Sequence, residues 1–267
     1  MQFHQLSTHY FSCHAAMEAY SMATMRNLPD PHPIFKLLLP HFRYTMCINA
    51  AARATLVNNG GIIDKLFSIG GDGKIELLQR VSQAYSVHWT NIERSVKQRG
   101  VDDKEQLPGY YYRDDGVKIW RAIKNFVGEI INEFYKTDKD VMEDKELQNW
   151  ADDIHTNGFP GYFGAEVGHG FPKQIVSKEM LKEYCTLIIF TGSAQHASIN
   201  FGQYNIYGFI PNSSAALRLP PRSSKSEIAD YATLLRTLPD MDDTSKQIAL
   251  VHLLSQYSQN EVCVILL

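Results

Sequence analysis

From Met1 to Met25 the chain carries a single charged residue, Glu18, and no other stretch constrains the fold as tightly. A helix of that length with almost no charge is buried on most of its sides. It opens Phe3-His4-Gln5-Leu6-Ser7-Thr8-His9-Tyr10-Phe11-Ser12-Cys13-His14, with three imidazoles five residues apart. Burying imidazoles is costly unless hydrogen bonds or a metal satisfy their nitrogens.

A second stretch, Ser177 to Phe201, reads as another buried helix, with nothing charged at neutral pH between Glu183 and Phe201 unless His196 is protonated. His196 and Asn200 stand at i and i+4, about 40° apart around an α-helix. His9 and His14 stand at i and i+5, which an ideal α-helix separates by roughly 140°. A π-bulge brings such a pair onto one face, and such bulges concentrate at functional sites. The spacing therefore predicts a local π segment between His9 and His14. Three imidazoles and the Asn200 carboxamide oxygen make a mixed nitrogen and oxygen set. It suits iron better than calcium or magnesium, lacks the thiolates of structural zinc, and leaves coordination positions open. His32, His41, His88, His155, His169 and His252 read as ordinary hydrogen-bonded residues.

The expected fold class is mainly α. An Asp30-Pro31-His32-Pro33 turn follows the first helix, and Gly60-Gly61 and Gly70-Gly71-Asp72-Gly73 read as turns. Apolar residues recur at helical spacing from Ile75 to Arg99, ahead of a capping Gly100. Tyr110 to Gly116 reads as a loop before an amphipathic helix from Val117 to Tyr135, and the charge-rich Lys136 to Glu146 as a solvated face or linker. Gly158 to Pro172, with five glycines and two prolines, is a long irregular loop, and Lys225 to Gln259 holds two helices around Leu238-Pro239-Asp240.

A net charge of -3 supplies no basic field for nucleic acid. The four cysteines, Cys13, Cys47, Cys185 and Cys263, form no CxxC pair, which fits reduced thiols. No signal peptide or membrane-spanning run is visible, and the expectation is a cytoplasmic protein. The uncapped start and the apolar ending Val262 to Leu267 read as a fragment or truncated product.

Several motifs then carry a family resemblance, in order along nearly the whole chain. They are His4-Gln5-Leu6-x-x-His9-x-x-x-x-His14, His32-Pro33-x-Phe35-Lys36-Leu37-Leu38, Tyr112-Arg113-Asp114-Asp115-Gly116, Gly170-Phe171-Pro172, and Ser193-Ala194-Gln195-His196-Ala197-x-x-Asn200-Phe201-Gly202-Gln203-Tyr204. Together they resemble the animal lipoxygenases. The resemblance covers residues 1–267 as part of the large helical catalytic domain, its two central buried helices carrying the metal ligands. It lacks that family's amino-terminal PLAT barrel, the start of the helical domain and the carboxy-terminal tail. Peripheral membrane contact is expected of the parent's missing barrel.

The resemblance implies one non-haem iron held by His9, His14, His196 and Asn200, with His4 a neighbour and not a ligand. It places Gln5 and Gln203 where the family has glutamines linking the Asn ligand to the substrate cavity. The implied reaction takes hydrogen from the methylene between two cis double bonds of a polyunsaturated fatty acid, such as linoleic or arachidonic acid. Addition of O2 then gives a hydroperoxide. Among pocket positions, Ala52 implies S product stereochemistry, bulky Leu66 and Phe67 imply a shallow pocket with oxygenation nearer the methyl end, and Leu56 falls beside the oxygen path. Ala51 departs from relatives that have a basic residue there. Ser255 to Glu261 still resembles the family, yet the chain stops at Leu267, short of the family's terminal isoleucine, whose carboxylate is an iron ligand. Two readings follow: a lipoxygenase-type dioxygenase, or a truncated, inactive product with a structural or regulatory role. A metalloprotease ranks third, because no HExxH glutamate accompanies the histidines.

Overall fold

The computed structural model describes residues 2–161, 164–220, 223–224, 226–227 and 230–256. The regular elements among these residues are all helices, without a strand. The chain's final residues, including Cys263, the apolar ending, Leu267 and most of the family-like run from Ser255, lie outside them.

Two long helices organise the rest. The first histidine helix is continuous over residues 2–27 and contains a π stretch, Gln5–Ala15. Five-back bonding shows directly where the Ala16 N–H donates to the Phe11 carbonyl. The predicted π segment is thus present, longer than the His9 to His14 interval required. The second histidine helix runs over residues 178–200, capped by the Ser177 side chain, with its own π stretch at Thr191–Gln195. Its buried hydroxyls bond back onto their own helix: Thr186 to the Lys182 carbonyl at 2.6 Å and Thr191 to the Leu187 carbonyl at 2.7 Å. Polar atoms can therefore sit in a core without partners from elsewhere.

The two helices meet at their π stretches. The carboxy-terminal half of the first packs on Lys145–Asp153, where the buried Trp150 donates its indole N–H to Thr24 Oγ1 at 2.9 Å. The second lies along Tyr111–Phe134. One large core joins these elements, and a smaller cluster of Leu6, Ile63, Leu66, Phe67 and Ala215 forms beside the start of the first helix.

Three expectations need correction. The glycine run at 70–73 opens the helix Gly70–Ala84: only Gly70 takes a left-handed φ of 62°, and Gly71 and Gly73 lie in the first turns. A Cβ at Gly71 would come within 3.1 Å of the Asp64 carboxylate, so close packing sets that glycine. The Ile75 to Arg99 periodicity is split at residues 85–91, because Val87 N–H donates to the His169 carbonyl and Ser86 and Asn91 cap new turns. Tyr111 to Gly116 is helix, not loop. Arg113 turns inward there and donates to the carbonyls of Val101, Asp103 and Leu107, while a Cβ on Gly116 would strike Ile92. Within the charge-rich segment, Asp138–Glu143 is a short exposed helix closed by a reciprocal Thr137/Asp140 cap.

Candidate metal centre

His9 and His14 leave the first π stretch on one face, and His196 arrives directly after the second. All three rings are buried. Nε2 of His9 lies 3.2 Å from Nε2 of His14 and 3.2 Å from Nε2 of His196. The ring centroids are 4.7 to 5.2 Å apart. His4 is exposed and outside the group.

The outer nitrogens decide what the inner ones can do. His9 Nδ1 lies 2.8 Å from Gln5 Oε1, and His14 Nδ1 lies 3.1 Å from Asn49 Oδ1. Both are N–H donors to amide oxygens, which leaves both Nε2 atoms as lone pairs. The 3.2 Å contact between His9 and His14 therefore sets two lone pairs against each other. Neutral rings cannot settle that contact by hydrogen bonding; a shared cation can.

Burial lowers the pKa of all three rings, and proximity to one another lowers His9 and His196 further. Burial pulls His9 well below the usual imidazole range, while the Asn49 contact partly offsets it for His14. His196 is brought down to about 3. Such rings are neutral at ordinary pH, the state that ligates metal. In the metal-free protein an unfolded imidazole takes up a proton below about pH 6.5 while folded His196 does not. Stability is therefore full above that pH and is lost as the pH falls toward 3. At pH 5 His196 alone should cost about 2 kcal/mol. Urea unfolding of metal-free protein at pH 7.5 and 5, beside His196→Gln, measures this, and an equal slope in both proteins would refute it.

Asn200 is buried one turn beyond His196. Its Oδ1 accepts from Gln203 Nε2 at 3.2 Å, Gln203 Oε1 accepts from Gln5 Nε2 at 2.9 Å, and Gln5 Oε1 accepts from His9. The two glutamines thus link the second histidine helix to the first. They also line an apolar cavity of about 180 Å³, together with His9 and His14. All four predicted pocket residues, Ala52, Leu56, Leu66 and Phe67, lie in its wall, as does Ala51. Ala52 and Leu56 come from the helix over residues 45–57; Leu66 and Phe67 come from the end of Ile62–Leu66.

Two contributors escaped sequence reasoning. Asn49 was unremarkable among apolar neighbours; the one available signal was Glu18, a lone charge four residues past His14, which needs a partner. Lys74 is buried and pairs with Asp64 Oδ1 at 2.5 Å and with the Val57 carbonyl at 2.7 Å, which fastens the cavity wall at Val57. His32, Asp144 and Glu146 also lie close together. His32 Nδ1 accepts from Ile34 N–H at 3.1 Å, so Nε2 is the donor to Asp144 and has no lone pair for a metal. Burial raises the Asp144 carboxyl, and hydrogen bonds from His32 and Tyr135 outweigh that, bringing it to about 2. That group is structural.

The lipoxygenase family model matches residues 1–265. The chain belongs to the lipoxygenase family. It is 43% identical over 262 residues to the allene oxide synthase-lipoxygenase protein of Plexaura homomalla, covering 97% of this chain and 24% of that protein. It is 40% identical over 258 residues to the hydroperoxide isomerase ALOXE3 of Mus musculus, covering 97% and 35%. A coral 8R-lipoxygenase structure superposes with a TM-score of 0.91 at 42% identity, over 97% of this chain and 38% of that one. The chain thus spans about a quarter to a third of the length of the curated relatives it matches. The mainly helical class and the lipoxygenase resemblance read from the motifs both hold.

Proposed function

We propose that this chain carries the iron site and acyl-chain cavity of a lipoxygenase. His9, His14 and His196 hold the metal through Nε2, and Asn200 adds its carboxamide oxygen. The observation that carries this reading is the convergence of imidazole lone pairs at an apolar cavity. The donor set fits iron: neutral imidazoles, one amide oxygen and no thiolate.

Iron bound there supplies the one-electron chemistry for removing hydrogen from the methylene between two cis double bonds, before O2 adds to give a hydroperoxide. The protein groups bind and orient. Leu56, Leu66 and Phe67 give the acyl chain a dry channel. Among the described residues no formal charge lines the cavity, so it receives the hydrocarbon and not the head group. Gln5 and Gln203 tie the Asn200 oxygen to the same wall. A lipoxygenase similar to this chain at 42% identity has a structure in complex with arachidonate, which supports a fatty acid of that class here.

The test is to load the protein with Fe(II), supply arachidonic or linoleic acid in air, and follow conjugated-diene absorbance with metal content. Because one relative is a hydroperoxide isomerase, a second arm supplies the fatty-acid hydroperoxide. Stoichiometric iron with diene formation is expected. Bound iron with neither reaction would overturn the enzymatic reading, and absence of iron would overturn the ligand assignment. Ala52→Gly should shift product chirality from S toward R, read by chiral-phase chromatography; unchanged chirality would remove Ala52 from that role.

A further inference from the structure

We propose that Asn49, locked in place by Glu18 and Arg53, is a positioning residue that sets the donor nitrogen of His14 at the metal centre. Both amide protons of Asn49 are committed. Nδ2 donates to the His14 carbonyl oxygen at 2.9 Å and to Glu18 Oε2 at 2.9 Å. A carboxylate accepts and cannot donate, so the amide cannot be reversed. Oδ1 is left facing the Nδ1–H of His14 at 3.1 Å. Glu18 is gripped at two points by Arg53, at 2.5 and 3.0 Å. The Arg53 side chain is 52% exposed and that of Glu18 15%. A chain of contacts therefore runs from a buried ring nitrogen to the surface.

Burial pushes the Glu18 pKa up, and the hydrogen bonds from Arg53 and Asn49 more than offset it, so the carboxyl sits below its ordinary value. Glu18 is thus ionised at neutral pH and a full acceptor. This gives the lone charge of the first 25 residues a purpose that burial alone does not. His9 is set differently, by Gln5 in the cavity wall. An imidazole that donates its outer N–H to a fixed acceptor is a stronger and better-aimed ligand. Loss of such a partner typically lowers metal affinity about 10- to 100-fold.

The inference rests on the reading of the three histidines as ligands, and the test separates the two. Co(II) is titrated into the protein, with visible absorption and metal content as readouts and urea unfolding of the metal-free form in parallel. Asn49→Leu keeps the side chain's approximate size and removes its hydrogen bonds. Affinity should fall about 10- to 100-fold with an altered cobalt band. The double variant Asn49→Asp with Glu18→Gln exchanges amide and carboxylate: it keeps an acceptor for the His14 Nδ1–H and a donor between the two residues, and gives up the donation to the His14 carbonyl. It should recover part of the lost affinity, because the acceptor for His14 returns, which a purely structural role for Asn49 does not predict. Should Asn49→Leu not fold, Glu18→Ala carries the same comparison from the surface side, with a several-fold loss expected. Native affinity and absorption in Asn49→Leu, or in Glu18→Ala where it stands in, would overturn the proposal, as would a folded double variant no better than Asn49→Leu. If the unsubstituted protein takes up no Co(II), the ligand assignment falls, and this inference falls with it.

Discussion

Substitution of His14 by alanine is expected to weaken metal binding about 100- to 1000-fold, measured by competition with a chelator, and to remove diene formation with it. Structural sites with four good ligands hold a divalent ion with about 10–16 kcal/mol, so one imidazole accounts for roughly 3–4 kcal/mol. That corresponds to about 100- to 1000-fold in affinity. The loss should fall at the upper end here, because no other described side chain is poised to replace the ring: Asn49 already points its oxygen at the His14 position, but from behind the ring. His4→Ala is the matched control. It removes an imidazole from the same helix and should leave metal content unchanged, since His4 lies on the exposed side. Unchanged metal affinity in His14→Ala would show that the converging nitrogens are not the binding site.

Trp150→Ala should be the most destabilising single core substitution, by about 3–5 kcal/mol, with urea unfolding as the measurement. The indole is fully buried, packs edge-on against Phe171 with centroids 5.7 Å apart, and donates to Thr24. Thr24 Oγ1 itself donates to the Tyr20 carbonyl at 2.8 Å, so the indole N–H completes a chain that begins in the first histidine helix. Trp150→Phe keeps most of the volume and loses that hydrogen bond, and should cost about 1 kcal/mol. The metal affinity of folded Trp150→Ala should change little, because Trp150 grips the half of the helix beyond His14. A loss of less than about 1 kcal/mol in Trp150→Ala would refute its role as the clamp on that helix.

The two histidine helices were legible because burial without charge leaves a plain trace in the residue pattern, and the five-residue step from His9 to His14 is incompatible with a regular α-helix on one face. The pocket positions were legible only through resemblance: Leu56, Leu66 and Phe67 look like any other core residues until the cavity is seen. Asn49 was out of reach because its role depends on a contact 35 residues away from His14 in the chain. Gly71 and Gly116 misled for a single reason. Glycine at a turn and glycine under a neighbouring side chain look alike in sequence, and here Asp64 and Ile92 occupy the space that a side chain would need. The break before Ile92 was hidden for the same kind of reason, since a hydrogen bond from Val87 to distant His169 overrides a helical pattern that continues through it.

His9 and His196 touch across 187 residues of chain, and that distance fixes when the centre can exist during folding. Closing a loop of that length carries an entropic penalty of about 5 kcal/mol, beyond a constant, before any contact between the helices compensates. On the proposed ligand set each helix presents too few donors by itself to retain an ion, so metal capture would come after the helices have docked and would not nucleate them. Once bound, the ion favours the docked state by mass action. Metal uptake in a refolding experiment would thus serve as a clock for the last long-range step, lagging behind the appearance of helix.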